Sequence, residues 1–434
     1  MQAPAAAVVI ALLVSASAAR AEQFRVDASH SGIYKAAGVP VLHGVKWKFK
    51  TGAAIVSSPA ISAGIVYFGS SDHNFYAIDE SSGRLRWKFA TQGRVTSSPA
   101  VSAGRVYFGS YDGNFYALDA ANGALNWKFT TGGERRFSAR HLHGADPAAE
   151  VMPDPFDFFL SSPAVAGGMV YFGSGDGNVY ALDAGSGALR WKFHTGNVVH
   201  ASPAVANGTV FVGSWDSYFY ALDATSGKQR WRFKTGEDPA INNQVGIQSS
   251  AVVADGVVYF GCRDSNLYAL DAASGTKRWS YSTRSSWVIS SPSVRDGRVY
   301  FATSDTALVL AADAKTGAPV FSLSFHKWPF FSSPALAGDL LYIGSHAGKL
   351  IAIDLQAGKQ AWAFQTDGAH KNGPAFTKAD GSPNYDAAFS DFFYDDLVVG
   401  VDRMMSVGAV VSSPVPDGDS VYFGSWDGQL YAIN

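Results

Sequence analysis

One unit recurs eight times along this chain. It holds a Ser-Ser-Pro triplet or a one-residue variant of it, a Gly turn, a Val-Tyr-Phe-Gly-Ser run, a Tyr-Ala-Leu-Asp run, then Gly and Trp. The cleanest copy runs from Ser97-Ser98-Pro99 through Val106-Tyr107-Phe108-Gly109-Ser110 and Tyr116-Ala117-Leu118-Asp119 to Gly123 and Trp127. A period of about 40 residues with several short strands per unit signals radial β-architecture, since one unit cannot bury its own apolar face. Ala63-Gly64, Ala103-Gly104, Asn207-Gly208, Asp255-Gly256 and Asp296-Gly297 read as two-residue hairpins. The strands between turns are nearly continuous apolar runs, as expected of sheets covered on both faces.

The Ala-x-Asp-x-x-x-Gly-x-x-x-Trp signature is complete from Ala77 to Trp87 and in five later copies. One unit carries Phe321 in the Trp place, and the last stops at Ala432-Ile433-Asn434, before a fourth strand. Val45-Lys46-Trp47-Lys48-Phe49 is a fourth strand with no unit ahead of it. Pairing the two ends would complete an eighth blade and remove the open edges. The expected fold is therefore all-β: an eight-bladed β-propeller of four-stranded antiparallel blades, closed by its N- and C-terminal strands. The expected division is 1–21, 22–44 as an N-terminal extension, and a single propeller over 45–434.

These motifs closely resemble the pyrroloquinoline-quinone (PQQ) type propeller repeat, with its tryptophan-docking motif, over residues 45–434. That family includes quinoprotein alcohol dehydrogenases, an outer-membrane assembly lipoprotein, and exported propellers of other roles. The resemblance implies that the repeated Asp and Trp dock neighbouring blades, and it speaks to fold more than to activity.

Residues 1–21 read as a cleaved signal peptide. Val8–Val14 is too short to span a bilayer, and Ala19-Arg20-Ala21 offers a small-x-small cleavage site. No Cys follows for lipid attachment, so the expected location is periplasmic or secreted, without a membrane anchor. Cys262 is the one cysteine and excludes an intramolecular disulfide. Net charge is −2 with 16% charged residues, which gives no basic surface for nucleic acid. A monomer is expected.

Function is sought where the period breaks. The Ser98–Ser162, Ser202–Ser250 and Ser333–Ser413 intervals are longer than the rest, placing insertions at 132–159, 236–248 and 368–411. All three fall between a fourth strand and the next first strand, on the face that carries the second-to-third-strand hairpins. Loops on a rigid scaffold are where binding and chemistry concentrate. Of eleven Trp, seven belong to the repeat; the others are Trp215, Trp287, Trp328 and Trp426. Trp215 and Trp426 occupy the variable hairpin place, where other units carry Tyr111, Arg263 and His346. Trp287 and Trp328 lie just before first strands, as do His200 and Gln248. These nine residues are the candidate ligand- or cofactor-binding collar around the funnel, suited to a planar, polar or anionic ligand. The opposing reading is that their rings pack beneath the insertions.

The first insertion is basic and carries His141-Leu142-His143, too few ligands for a metal site; no metal site is assigned. The second carries Asn242-Asn243-Gln244. The third is Asp-rich and reads as an acidic lid anchored by Phe389, Phe392, Phe393 and Tyr394, able to pair with the first. Catalytic residues are not assigned: no nucleophile–base pair or haem-attachment motif is present. The expected function is an exported binding module whose funnel face takes a small planar or polar ligand, a protein or a peptide. The alternative is a PQQ-dependent oxidoreductase with Ca²⁺. Against that stand the lack of an adjacent-cysteine pair, a chain shorter than those enzymes, and no matching Glu–Asn–Asp calcium set.

Overall fold

A computed structural model describes residues 21–140, 150–236, 245–390 and 394–434. Eight four-stranded antiparallel blades succeed one another around an axis. The second blade shows the pattern: Ala60–Ser62 innermost, then Ile65–Gly69, Asn74–Asp79, and Leu85–Ala90 at the rim. The second strand is buried throughout and the third at its four central positions, whereas the rim strand is exposed at every other residue. The rim is thus the one place where alternation survives, because only there does a face meet water.

Closure is as the sequence requires. Val45–Lys50 pairs antiparallel with Gln429–Ile433, from Val45 opposite Ile433 to Lys50 opposite Gln429, with a bulge between Val45 and Trp47. This blade is completed by Ser420–Gly424 and Val415–Asp417.

Blade-to-blade contact follows one geometry. Asp79 Oδ1 accepts the Ser81 and Ser82 amides, and the turn ends at Gly83 with φ +68°. The Trp47 indole of the preceding blade lies on that glycine and donates to Glu80 O at 2.8 Å. A Cβ on Gly83 would stand 2.7 Å from the ring, so the turn demands glycine for space as well as for φ. The same contact recurs from Trp87 to Ala120, Trp127 to Ala184, Trp191 to Ala224, Trp231 to Ala272 and Trp279 to Ala314. Where Phe321 replaces Trp, Gly358 of the next blade has open space above it.

Trp362 meets the N-terminal segment in place of such a turn. Its indole donates to Val39 O instead, and the Val39 amide donates to Tyr342 Oη. Residues before the first rim strand therefore stand in for the missing turn. Farther toward the N-terminus they cross the axial floor. Ala21 O, Glu22 O, Ala28 O and Ser29 O accept amides from the inner strands at Ile61, Val101, Val205 and Val253, and Gln23 Oε1 accepts Val165 N. Ile33–Tyr34 then pairs parallel with Ala335–Ala337. Strand edges that a shorter chain would leave open are covered.

The insertions are not wholly extended. The third contains three helices, α1 (Asp367–Phe376), α2 (Tyr385–Ala388) and α3 (Tyr394–Met405), where only an acidic lid was expected. Thr366 caps α1 by accepting the Ala369 amide.

Candidate functional site

The second serine of each triplet stands at the axis. Its amide donates to the hydroxyl of the corresponding serine in the next blade: Ser58 to Ser98, then Ser162, Ser202, Ser250, Ser291, Ser333, Ser413 and back to Ser58, at 2.8–3.2 Å. The repeat thus writes a closed ring of eight hydroxyls, which line an axial cavity of about 50 Å³. Phe24 of the N-terminal segment lines it as well, and Phe159 and Leu160 of the first insertion do so from the other side.

Beside the cavity, on the insertion-bearing face, the collar converges, and what it surrounds is the chain itself. Arg263 is wholly buried and makes a 2.6 Å ion pair with Asp154. Its guanidinium lies between two indoles, 4.4 Å from the Trp215 centroid and 4.2 Å from that of Trp287. Gln248 Oε1 accepts from Arg263 Nη2 at 2.8 Å, and Gln248 Nε2 donates to Phe156 O at 3.0 Å. The opposite ring face of Trp215 is occupied too, because Phe137 stacks on this indole at 4.3 Å.

A second acidic residue of the same segment is held one blade away. Asp157 Oδ1 lies 2.7 Å from His200 Nδ1, and Asp157 Oδ2 accepts the Phe137 amide at 2.6 Å. Glu134 Oε2 sits 3.6 Å from the other ring nitrogen. Burial alone would push the His200 imidazole down; Asp157 and Glu134 outweigh it and raise it to about 9, so the ring is cationic at neutral pH. Tyr111 packs edge-on to His200, its hydroxyl near Asp157 O at 3.5 Å, and burial with the Asp157 charge pushes this phenol far up. Burial pushes the Asp154 carboxyl up as well, opposed by Arg263 and by the Phe156 amide.

The remaining collar residues meet apolar partners. Trp426 packs edge-on to Phe158, in a cluster with Leu397, Val401 and Met405 of α3, so the first and third insertions meet through apolar side chains. His346 packs against Phe331 at 4.4 Å, and burial lowers it to about 3. Trp328 lies farther out and donates to Gly381 O beneath the third insertion. Of the nine candidates, Tyr111, His200, Gln248, Arg263, Trp287 and Trp426 thus meet the plug formed by residues 154–159, Trp215 and His346 pack against its neighbours Phe137 and Phe331, and Trp328 belongs to the lid. Cys262 is buried, with Sγ near Gly246 O at 3.4 Å.

Sequence reasoning did not single out Asp154, Asp157, Glu134 or Phe156. The run Asp154-Pro155-Phe156-Asp157-Phe158-Phe159, two acids set among aromatics directly before a first strand, was the available signal. His141, His143, Asn242, Asn243, Gln244, Phe392 and Phe393 lie outside the described residues. Among the described residues no group of three or more His, Cys, Asp or Glu converges as a metal site.

The family model described as outer membrane protein assembly factor BamB matches residues 44–150, 144–364 and 266–434. The chain belongs to this PQQ-repeat propeller family. Among solved structures, BamB from Moraxella catarrhalis superposes with a TM-score of 0.64 at 18% identity, over 91% of this chain and 98% of that one. A europium-containing methanol dehydrogenase gives 0.68 at 13% identity, over 96% and 98%. Quinohemoprotein alcohol dehydrogenase from Comamonas testosteroni gives 0.67 at 15%, over 96% and 80%. No curated protein sequence matches the chain. At these identities the likeness speaks for the fold.

Family membership raises PQQ and Ca²⁺ as a cofactor pair, and the residues present do not fit them. A quinone stacked on a funnel tryptophan would need a free indole face. The facing sides of Trp215 and Trp287 hold Arg263 between them, and Phe137 covers Trp215 from behind. The nearest carboxylates, Asp154 and Asp157, are held by Arg263 and His200.

Proposed function

We propose that this chain is an exported, non-catalytic propeller that binds a protein or peptide through its insertion-bearing face. The observation that carries the reading is the occupation of the collar by residues 154–159 of the chain itself. What remains on the axis is about 50 Å³, against roughly 300–1,000 Å³ for a small-molecule pocket. Binding then falls to the outer surface of the cap. Val151 of the first insertion and Tyr385 and Val399 of the third are large apolar residues left about half exposed there. Among the described residues no helix is long and apolar enough to cross a membrane. Export rests on the signal-like residues 1–21.

The test is equilibrium dialysis of the purified mature chain against PQQ with Ca²⁺, alongside a dye-linked alcohol oxidation assay. No uptake and no turnover are expected; stoichiometric uptake with turnover would overturn the reading. Photo-crosslinking residues placed at Val151 and Val399 should capture one defined protein in the exporting cell, whereas the same groups at rim positions Leu85 and Leu189 should not.

A further inference from the structure

The serine ring presents a donor count that the protein does not balance. Each ring hydroxyl accepts one amide from the preceding blade, yet among the described residues none of the eight donates its own proton. All eight serines are at least nine-tenths buried and line the same axial cavity. Thr96, 4% exposed, lines the same cavity, and its hydroxyl has no partner among the described residues. Buried hydroxyls are ordinarily satisfied, so these protons call for an acceptor on the axis.

Charge decides between acceptors. Arg25, next to the cavity-lining Phe24, is 3% exposed. The acceptors of its guanidinium are neutral: His30 O, Pro292 O, Pro334 O and Ser293 Oγ. Pro292 and Pro334 directly follow ring residues Ser291 and Ser333, so this cation sits just beneath the ring. The nearest acid in sequence, Asp27, raises Arg25 through space, but its oxygens bond Ser29 and Ser31 rather than the guanidinium. An arginine keeps its charge in proteins, and a buried charge without a counter-ion is costly. The other buried cations on the axis are matched, His200 by Asp157 and Glu134, and Arg263 by Asp154. A bound cation would add to the unmatched charge and find lone pairs already taken by amides.

We propose that the axial cavity is a binding site for a halide-sized anion, held by the inward serine hydroxyls over Arg25, with water bridging it to the rest of the ring. The volume admits a monatomic ion and a few waters. This site is separate from the proposed docking face, and neither reading requires the other.

The probe is bromide. Crystals grown in sodium bromide and measured at the bromine edge should show an anomalous peak on the axis inside the serine ring. In solution, the unfolding midpoint in sodium bromide should exceed that in sodium gluconate at equal ionic strength by roughly 1–3 °C, since only the ion that enters stabilises by mass action. Arg25→Gln should abolish most of that difference and Thr96→Val should reduce it. Axial density that refines as water alone, or equal midpoints in the two salts for the unmodified chain, would overturn the proposal, and neither measurement depends on how well the variants fold.

Discussion

Replacing Asp154 by Asn removes the one carboxylate among the described residues that meets Arg263 and leaves its guanidinium buried between Trp215 and Trp287. Both side chains of the pair are wholly screened from solvent. Breaking such a pair from one side costs about 3–5 kcal/mol, because the surviving charge keeps its desolvation penalty and loses its partner. Two indole faces and the Gln248 oxygen remain, and each buried cation–π contact is worth about 2 kcal/mol. Those contacts are already present in the native chain, so they limit relaxation rather than offset the loss. The expected destabilisation of Asp154→Asn is about 3 kcal/mol. The pair as a whole is worth far less: Asp154→Leu with Arg263→Met should fall within about 1 kcal/mol of the native chain, as apolar replacements of buried pairs often do. Denaturant unfolding of the native chain, Asp154→Leu, Arg263→Met and the double variant closes the cycle, with Asp154→Asn measured beside it. Hydrogen exchange at the Phe137 amide, which donates to Asp157, shows whether the loss appears as local release of residues 152–159. A single-variant cost below about 0.5 kcal/mol, with unchanged exchange at Phe137, would refute the claim that this ion pair holds the plug.

Three further outcomes follow from the same geometry. His200 has a folded pKa of about 9, above its unfolded value near 6.5, so its contribution of about 3 kcal/mol is complete below pH 6.5 and lost as pH rises to 9. His30 and His346 have folded values lowered to about 4 and about 3, so their contribution is present above pH 6.5 and lost as pH falls through that range. Stability measured by denaturant titration should therefore peak near pH 6.5, and His200→Gln should flatten the alkaline limb alone. Gly83→Ala should cost at least about 2 kcal/mol more than Gly358→Ala, since both glycines have positive φ but only Gly83 lies under an indole; equal costs would show that the Trp contact carries no weight. Burial lifts the Cys262 thiol well above its usual range, so it should resist maleimide in the native state and react only on unfolding.

The fold was legible because its determinants are local and repeated. Seven blades announce their turn with an Asp that caps two amides and a Gly with positive φ, and six Trp residues, from Trp47 to Trp279, reach one blade along the ring. The closing strand could be found by counting, since one Trp-Lys-Phe had no unit ahead of it. The N-terminal segment offered no such count. It binds the floor through backbone carbonyls and through residues of positive φ, among them Arg25, Val26 and His30, which no side-chain pattern announces. The helices of the third insertion were partly readable. Leu397, Val401, Met404 and Met405 keep helical spacing in α3, but its many aspartates drew the reading toward a solvated lid. In α1, Gly368, Gly373 and Pro374 hide the helix from propensity. At the collar the residue types were found and their partners were not. A buried arginine requires a carboxylate, but the one that meets it lies 109 residues away in an aperiodic loop, where spacing carries no information.

The chemistry that makes the collar look like a cofactor site is the same chemistry that closes it. Facing indoles, a guanidinium and an imidazole suit a planar anion; an Asp-Pro-Phe-Asp segment offers carboxylates and an aromatic plane in one short stretch, and it satisfies the same donors without a ligand. On the opposite face the N-terminal segment makes a comparable substitution, giving Trp362 a carbonyl that a complete eighth turn would have supplied. At the axis, Phe24 of the N-terminal segment and Phe159 and Leu160 of the first insertion, all outside the repeat, line the cavity together with the serine ring. A propeller built this way fills its collar with its own chain and keeps its aperiodic loops on one face. That is why the likeness to both an assembly factor and alcohol dehydrogenases carries over as fold, and why the residues around the axis weigh toward binding on the cap.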